Sequence, residues 1–325
     1  MQNSIRRFCY RASLFGVSRE HIRPLSQAQR PHLSTTSLPS PPLYTSLPRP
    51  CSMKYVAGLF ATSAAVTGAF AAPRLGLADR VFARSSEHTH QTNPLENLGG
   101  DGGDSNARVA SNVAYSNNWA GVVREQPPPN GIYTAVSATF TVPKPTSVSG
   151  DQEAGSAWVG IDGDTYSNAI LQAGVDFYAR DGQAYNQPWF EWYPEAAHNF
   201  ENIEVATGDT IAVKVHALSP SQGVAIIENK SNGQSATKTL NAPRASATLA
   251  GQNADWIVED FTSGASMVPL ADFSSVTFTG AGADGGNEHF GVSDATIIKL
   301  KQNGKVLTDV NVEGDAQLTV HYKKS

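Results

Sequence analysis

Short runs of alternating apolar and polar residues recur from Tyr115 to the end of the chain, and turn signals separate them. No window in this region shows sustained helical periodicity. Asn232-Gly233 and Asn303-Gly304 are the strongest short hairpin signals. Many strands with close turns are typical of an antiparallel sandwich or barrel, so the sequence predicts a single all-β domain. The predicted strands cover 134–142, 157–161, 169–178, 189–193, 210–218, 224–229, 275–279, 295–300, 305–310 and 317–322.

The two parts of the chain differ in charge. Residues 1–110 hold 12 basic and 6 acidic side chains, whereas residues 111–325 hold 12 and 23. Because binding to phosphates needs Lys and Arg, the acidic body argues against a nucleic-acid partner. It suits a protein that works at low pH, where protonation relieves repulsion between carboxylates. Both cysteines, Cys9 and Cys51, precede the body, which therefore has no disulfide and no cysteine metal site.

The charge and composition divide the chain into four predicted segments. A basic start at Met53, a short apolar stretch and an Ala-Phe-Ala site predict a secretory signal peptide over 53–72. Residues 1–52 are then expected to be a gene-model extension or a disordered leader, with a transit peptide as the alternative. The polar, Gly-rich residues 73–110 predict a propeptide and flexible linker, and 111–325 form the β-sandwich domain. We expect a secreted, extracellular protein with no membrane contact after signal removal.

One predicted strand separates apolar from polar side chains by position. Between 168 and 178 the odd positions are all apolar, whereas the even positions include Gln172, Asp176 and Tyr178. Alternate residues of a strand point to opposite faces. One face of this strand is therefore predicted to pack in the core, while the other presents polar groups.

Two further runs show the same separation. Apolar Val159 and Ile161 alternate with Trp158 and Asp162, and Trp189, Glu191 and Tyr193 alternate with Phe190 and Trp192. A solvated outer face is the common alternative for antiparallel sheets. Aromatic residues mixed with acids instead favour a ligand groove across the sheet.

The residues exclude several catalytic chemistries. The four histidines of the body have no paired spacing, so we predict no metal and no cofactor. The chain lacks the GxSxG of many serine hydrolases and the Asp-Thr-Gly of aspartic peptidases. Carboxyl chemistry remains: Glu191 and Glu259 could form a glycosidase pair, and Glu259 with Gln172 could serve a peptidase. A lectin-like module that binds carbohydrate without catalysis is also open. Composition alone does not distinguish between the glycosidase, the peptidase and the carbohydrate-binding module.

Several strings of the body, in this order, resemble the fungal glutamic peptidases of the eqolisin family. They are Ser116-Asn117-Asn118-Trp119-Ala120-Gly121, Ala157-Trp158-Val159-Gly160-Ile161-Asp162-Gly163-Asp164-Thr165, Ala169-Ile170-Leu171-Gln172-Ala173-Gly174-Val175-Asp176, Glu191-Trp192-Tyr193-Pro194-Glu195 and Ile257-Val258-Glu259-Asp260-Phe261. The resemblance implies a lectin-like sandwich of two packed antiparallel sheets. It also implies a pepstatin-insensitive acid endopeptidase that is secreted as a zymogen and acts on protein and peptide substrates.

The resemblance also implies roles for individual residues. It places the catalytic pair at Gln172 and Glu259, with substrate-binding roles for Trp119, Trp158, Asp162, Asp176, Glu191 and Tyr193. Some members carry disulfides, which this body cannot form, and Gln187-Pro188 stands where an acid can occur in the family. These departures concern pocket shape and subsite preference.

Three further expectations concern processing and assembly. We expect a monomer, a glycosylation acceptor at Asn229 in Asn229-Lys230-Ser231, and a mature N-terminus between Asp104 and Tyr115. A basic cluster in the predicted propeptide is expected to close the acidic groove at neutral pH. Its members are Arg74, Arg80, Arg84, His88 and His90.

Overall fold

A computed structural model describes residues 90–98, 113–150 and 152–324. Within these ranges the regular structure is all strand, with no helix long and apolar enough to cross a membrane. The strands are β1 His90–Gln91, β2 Val113–Ser116, β3 Trp119–Arg124, β4 Tyr133–Thr141, β5 Glu153–Ile161, β6 Ile170–Arg180, β7 Gln183–Tyr193, β8 His198–Asn199, β9 Thr210–Ser219, β10 Gln222–Asn229, β11 Gln234–Asn241, β12 Ala254–Glu259, β13 Thr262–Ser263, β14 Ser266–Met267, β15 Ser275–Gly285, β16 Glu288–Phe290, β17 Thr296–Gln302, β18 Lys305–Val306, β19 Thr308–Val312 and β20 Gln317–Tyr322.

Two large sheets pack face to face, as predicted. The first, which we call the groove sheet, runs β18-β17-β3-β12-β5-β6-β7-β8, with β2 paired in parallel to β17. The second, which we call the back sheet, runs β11-β10-β9-β4-β15-β20-β19, with β16 attached to β15. A small sheet, β1-β13-β14, lies beside them. Apart from the β2–β17 pair, neighbouring strands are antiparallel, which confirms the predicted sandwich class.

The core between the sheets contains the odd positions of the strand analysed above. Leu171, Ala173, Val175 and Phe177 are fully buried in it. Trp192 from β7 and Val159 from β5 join the same cluster, which continues into the aromatic residues of the back sheet. The opposite face of these strands therefore turns away from the core, which is where the polar positions were predicted to lie.

Strand boundaries agree with the sequence in some places and not in others. The hairpin at Asn303-Gly304 joins β17 to β18, and both residues adopt the positive φ (50° and 78°) that a type I′ turn requires. The predicted strand 305–310 is wrong as a single element, because Leu307 interrupts it and separates β18 from β19. Strands β2, β3, β11 and β16 and the two-residue strands β1, β8, β13 and β14 were not predicted.

Candidate active site

The side of the groove sheet that faces away from the core, which we call the groove face, brings the predicted polar residues together. The strand register places these residues in rows across the sheet. In the first row, Asp255 of β12 pairs with Gly160, Gly160 with Gln172, and Gln172 with Glu191. Two residues along, Ile257, Trp158, Gly174 and Trp189 form the next row. Glu259, Ser156, Asp176 and Gln187 form the third. Gln172, Asp176, Glu191 and Glu259 are all at most 1 % exposed, so this face is not a solvated surface.

Trp158 positions the carboxyl group of Glu259. Its indole Nε1 donates to Glu259 Oε2 at 2.9 Å. The ring lies along the sheet because Gly160 has no side chain: a Cβ there would stand 2.8 Å from Trp158 Cζ3. Trp119 packs edge-on against Trp158, with centroids 4.9 Å apart. Neighbouring rings and one hydrogen bond thus hold the glutamate side chain in place.

Glu259 and Glu191 are a close, buried pair of acids. Burial raises the pKa of Glu259 well above its usual value and the nearby charge of Glu191 raises it further, against hydrogen bonds from Asn93 and Trp158. Burial likewise raises the pKa of Glu191, which accepts a hydrogen bond from the Thr92 backbone and faces Asp176. Two buried carboxyl groups that interact in this way titrate as a coupled pair, and they hold protons most readily at acid pH.

Gln172 lies across the face from Glu259, two strands away. Neither its Nε2 nor its Oε1 has a hydrogen-bond partner among the described residues, although the side chain is fully buried. An unsatisfied buried amide is costly and calls for an explanation. Its two donors and one acceptor are available to a molecule that enters the groove.

Residues 91–94, which belong to the predicted propeptide, lie over Glu191 and Glu259. Gln91 pairs with Thr262 in an antiparallel strand contact. The backbone N–H of Thr92 donates to Glu191 Oε2 at 3.2 Å, and that of Asn93 donates to Glu259 Oε1 at 3.3 Å. An extended peptide therefore occupies the groove and covers both carboxyl groups.

The other predicted residues have different surroundings. The carboxylate of Asp162 accepts hydrogen bonds from four consecutive backbone N–H groups, 250–253, so it holds a loop rather than facing Glu259. Asp176 accepts from the Tyr178 hydroxyl at 2.8 Å. Trp119 Nε1 donates to the Asn93 carbonyl, and Tyr193 packs on the apolar cluster around Trp119.

Asn229, the predicted glycosylation acceptor, is the last residue of β10. Its side chain is fully buried, and Nδ2 donates to Glu204 O at 2.8 Å and to Asp209 Oδ2 at 2.7 Å. A glycan on Nδ2 would break these bonds and would need space that the folded chain does not provide at this position.

Two residues of the site were missed by the sequence analysis. Asp255 is fully buried on the groove face, neither of its oxygens has a hydrogen-bond partner among the described residues, and burial raises its pKa well above the usual value. Strand alternation within β12 could have found Asp255, because Asp255 and Glu259 are both at odd positions and therefore lie on the same face of the strand. Asn118 contacts the leader segment from a turn, where alternation gives no signal.

A β-sandwich that holds an extended peptide over a buried glutamate has the architecture of the glutamic peptidases. The Peptidase A4 family model matches residues 117–322, and the chain belongs to that family. It is accordingly a peptidase, and the resemblance to eqolisins noted from the sequence is confirmed.

Individual relatives agree with this assignment. The chain is 42% identical over 261 residues to aspergillopepsin-2 of Aspergillus niger, covering 75% of this chain and 90% of the relative. It is 36% identical over 212 residues to scytalidopepsin B of Scytalidium lignicola, covering 63% and 78%. A structure of scytalido-glutamic peptidase with a peptide-based transition-state analogue matches with a TM-score of 0.56 at 36% identity, covering 64% of this chain and 98% of that one.

The buried acids predict that the folded protein is more stable in acid than at neutral pH. Burial raises the pKa of Asp260 to about 7 and that of Asp164 to about 6, and it raises those of Glu191, Glu259 and Asp255. A raised folded-state pKa favours the protonated form, so its stabilising effect is complete below the unfolded pKa of about 4 and is lost as pH rises through 6 to 7 and beyond.

Urea denaturation of the full chain at pH 4, 5, 6 and 7 measures this dependence. We expect the free energy of unfolding to fall across the series, and Asp255→Asn to reduce the slope because it removes one such group. An Asp315→Asn control, at an exposed acid, should keep the slope. Equal stability at pH 4 and pH 7 would show that these groups ionise freely in the folded state.

Proposed function

We propose that the protein is a secreted acid endopeptidase that hydrolyses peptide bonds with Glu259 and Gln172. The observation that carries the proposal is the backbone N–H of Asn93 on Glu259 Oε1, because it puts a peptide nitrogen beside a buried glutamate. Membership in the peptidase family agrees with it. The secretory leader over 53–72 lies outside the described residues and stays a prediction.

Glu259 supplies the proton transfers. As a carboxylate it accepts a proton from water, whose oxygen attacks the substrate carbonyl carbon. The protonated acid then gives that proton to the leaving amine as the C–N bond breaks, which leaves a carboxylic acid and an amine. The 3.3 Å contact to the Asn93 nitrogen supports this second step, since the leaving nitrogen would occupy the same place.

Gln172 stabilises the tetrahedral intermediate. Its Nε2 group donates to the oxyanion, and its Oε1 orients the attacking water. The lack of partners for both atoms supports this role, because no described group competes for them. An amide keeps its donors at every working pH, whereas an acid would lose its proton.

The first test is substitution of the pair. Glu259→Gln removes the proton carrier and Gln172→Ala removes an oxyanion donor, a change that typically costs on the order of 10²–10³ in rate. We expect each to abolish cleavage of an unfolded protein at acid pH with pepstatin present. The matched controls Glu228→Gln and Gln222→Ala lie on β10 of the back sheet and should keep full activity.

Folding of each variant is checked by its urea midpoint. Cleavage at the wild-type rate by a folded Gln172→Ala protein would contradict the mechanism. Hydrolysis of oligosaccharides that tolerates Gln172→Ala and needs both Glu191 and Glu259 would instead support the glycosidase alternative.

The second test concerns pH. Glu259 must be ionised to accept a proton, and Glu191 and burial raise its pKa, so the acidic limb of the rate profile should follow this carboxyl. Glu191→Gln removes the neighbouring charge, which lowers the pKa of Glu259 and should shift that limb to lower pH. The pH dependence of kcat/KM measures the shift. A limb that does not move would exclude Glu191 as the tuning group.

The leader segment 91–97 is also proposed to keep the protein inactive as a zymogen. Of the basic cluster invoked above, Arg74, Arg80, Arg84 and His88 lie outside the described residues. The described contacts are instead backbone hydrogen bonds and the apolar packing of Leu95.

Leu95→Asp tests this inhibition. It places a charge in an apolar cluster, so the full chain should become active sooner after acidification, while Leu98→Asp, at a side chain 51 % exposed, should activate like wild type. Activation half-times and the N-terminal sequences of the products measure the effect and test the boundary predicted at 104–115. Equal half-times for both variants would refute inhibition by this segment.

A further inference from the structure

The side chain of one buried asparagine contacts three residues of the bound segment, namely Asn93, Pro94 and Glu96. Asn118 Nδ2 donates to the carbonyl oxygens of Asn93 (3.3 Å) and Pro94 (3.2 Å), and Oδ1 accepts from the N–H of Glu96 at 2.9 Å. Asn118 is 1 % exposed, and its own carbonyl accepts from the Asp260 N–H. A side chain beside the catalytic strand thus binds peptide main chain on both its donor and its acceptor side.

The hydrogen bonds continue along the segment. Leu95 donates its N–H to Gly163 O at 2.9 Å, and Asn117 donates to Glu96 O at 3.0 Å. Leu98 then donates to Tyr115 O at 2.9 Å. Main-chain groups of Asn93, Pro94, Leu95, Glu96 and Leu98 therefore all bond to the body, so that the groove binds the segment largely through its backbone, as peptide-binding sites commonly do.

A single side chain of the segment enters an apolar environment. Leu95 packs on the cluster that contains Trp119, Ile170 and Ile298. The neighbouring side chains Glu96 and Asn97 are exposed. This half of the groove therefore offers many contacts to main chain and one pocket of aliphatic size.

The contact between the Asn93 nitrogen and Glu259 shows which side of the scissile bond the segment corresponds to. Because the Asn93 nitrogen lies on Glu259, Asn93 corresponds to the first residue after the scissile bond, and Leu95 to the third. Resting on the proposed function, we propose that Asn118 and the Leu95 pocket form the subsites for the C-terminal side of the substrate. Asn118 binds its main chain, and the pocket selects an aliphatic residue at the third position after the cleaved bond.

Substrate length provides the test. The full chain, incubated in acid until its activity is constant, is assayed with a peptide that mass spectrometry shows to be cut at one bond. A long version has four residues after that bond, and a short version has one. Asn118→Ala should lower kcat/KM for the long peptide by about ten- to hundredfold, since three hydrogen bonds are lost. It should lower kcat/KM for the short peptide by a clearly smaller factor, because that peptide retains only the contact to the carbonyl of its first residue.

Asn311→Ala, at an exposed side chain on β19 of the back sheet, is the matched control. It should leave both rates unchanged. An equal loss on long and short peptides by Asn118→Ala would show a structural role, since Asn118 also accepts from Ser116 Oγ, and would overturn this inference alone. No cleavage of any peptide by the unchanged enzyme would overturn the proposed function and the inference with it.

The pocket is tested with a peptide that has six residues after the cleaved bond, with Leu at the third and sixth of these positions. Asp in place of Leu at the third position should reduce kcat/KM about tenfold or more, because a charge would be buried without a partner. Leu98 is exposed, so the same exchange at the sixth position should have no effect. Equal effects at both positions, or none at the third, would refute the pocket.

Discussion

The hydrogen bond between Trp158 and Glu259 connects the sandwich to its chemistry. The indole can lie along the groove sheet because Gly160 carries no side chain, and strands β5 and β6 can approach closely at Trp158 because Gly174 carries none. A Cβ at Gly174 would stand 2.5 Å from Trp158 Cβ, and one at Gly160 would meet the indole edge. The position of the Glu259 carboxyl thus depends on a missing side chain on the neighbouring strand, within a sheet whose other face is the packed core.

The groove face concentrates acids where water is excluded. Asp255, Glu191 and Glu259 are each fully buried there, and burial raises the pKa of each. A buried carboxylate without a cation is unfavourable, whereas the neutral acid is tolerated. The arrangement is therefore compatible with the fold at low pH, which agrees with the excess of acidic residues in the body. The same property that limits stability near neutrality keeps these carboxyl groups protonated in acid.

Strand alternation was sufficient to find much of the site. In β6 and β7 it separated Gln172 and Glu191 from the core residues beside them, and the register confirms that the two lie opposite each other. It could not give the sheet order, since β12 pairs with β3 and β5, far away in the sequence.

Local patterns also failed where geometry is irregular or contacts are long-range. The predicted end of β15 at 279 was too early, because a register shift between Thr279 and Gly282 lets the strand continue to Gly285. Asn118 lies outside the regular strands, and its function depends on residues 22 to 25 positions away. Neither alternation nor composition carries information about such a contact.

If Gln172 is the oxyanion donor proposed above, its engagement distinguishes a cleavable substrate from the segment that occupies the groove. The Asn93 carbonyl is held by Trp119 and Asn118, while Glu259 accepts the Asn93 N–H. Both atoms of the Gln172 amide remain without a partner among the described residues, so the segment binds the groove without a contact to the proposed oxyanion donor. Strand addition provides affinity for almost any peptide, because it uses main-chain groups. Cleavage then requires the additional step of bringing a carbonyl oxygen to Gln172, which main-chain affinity alone does not supply.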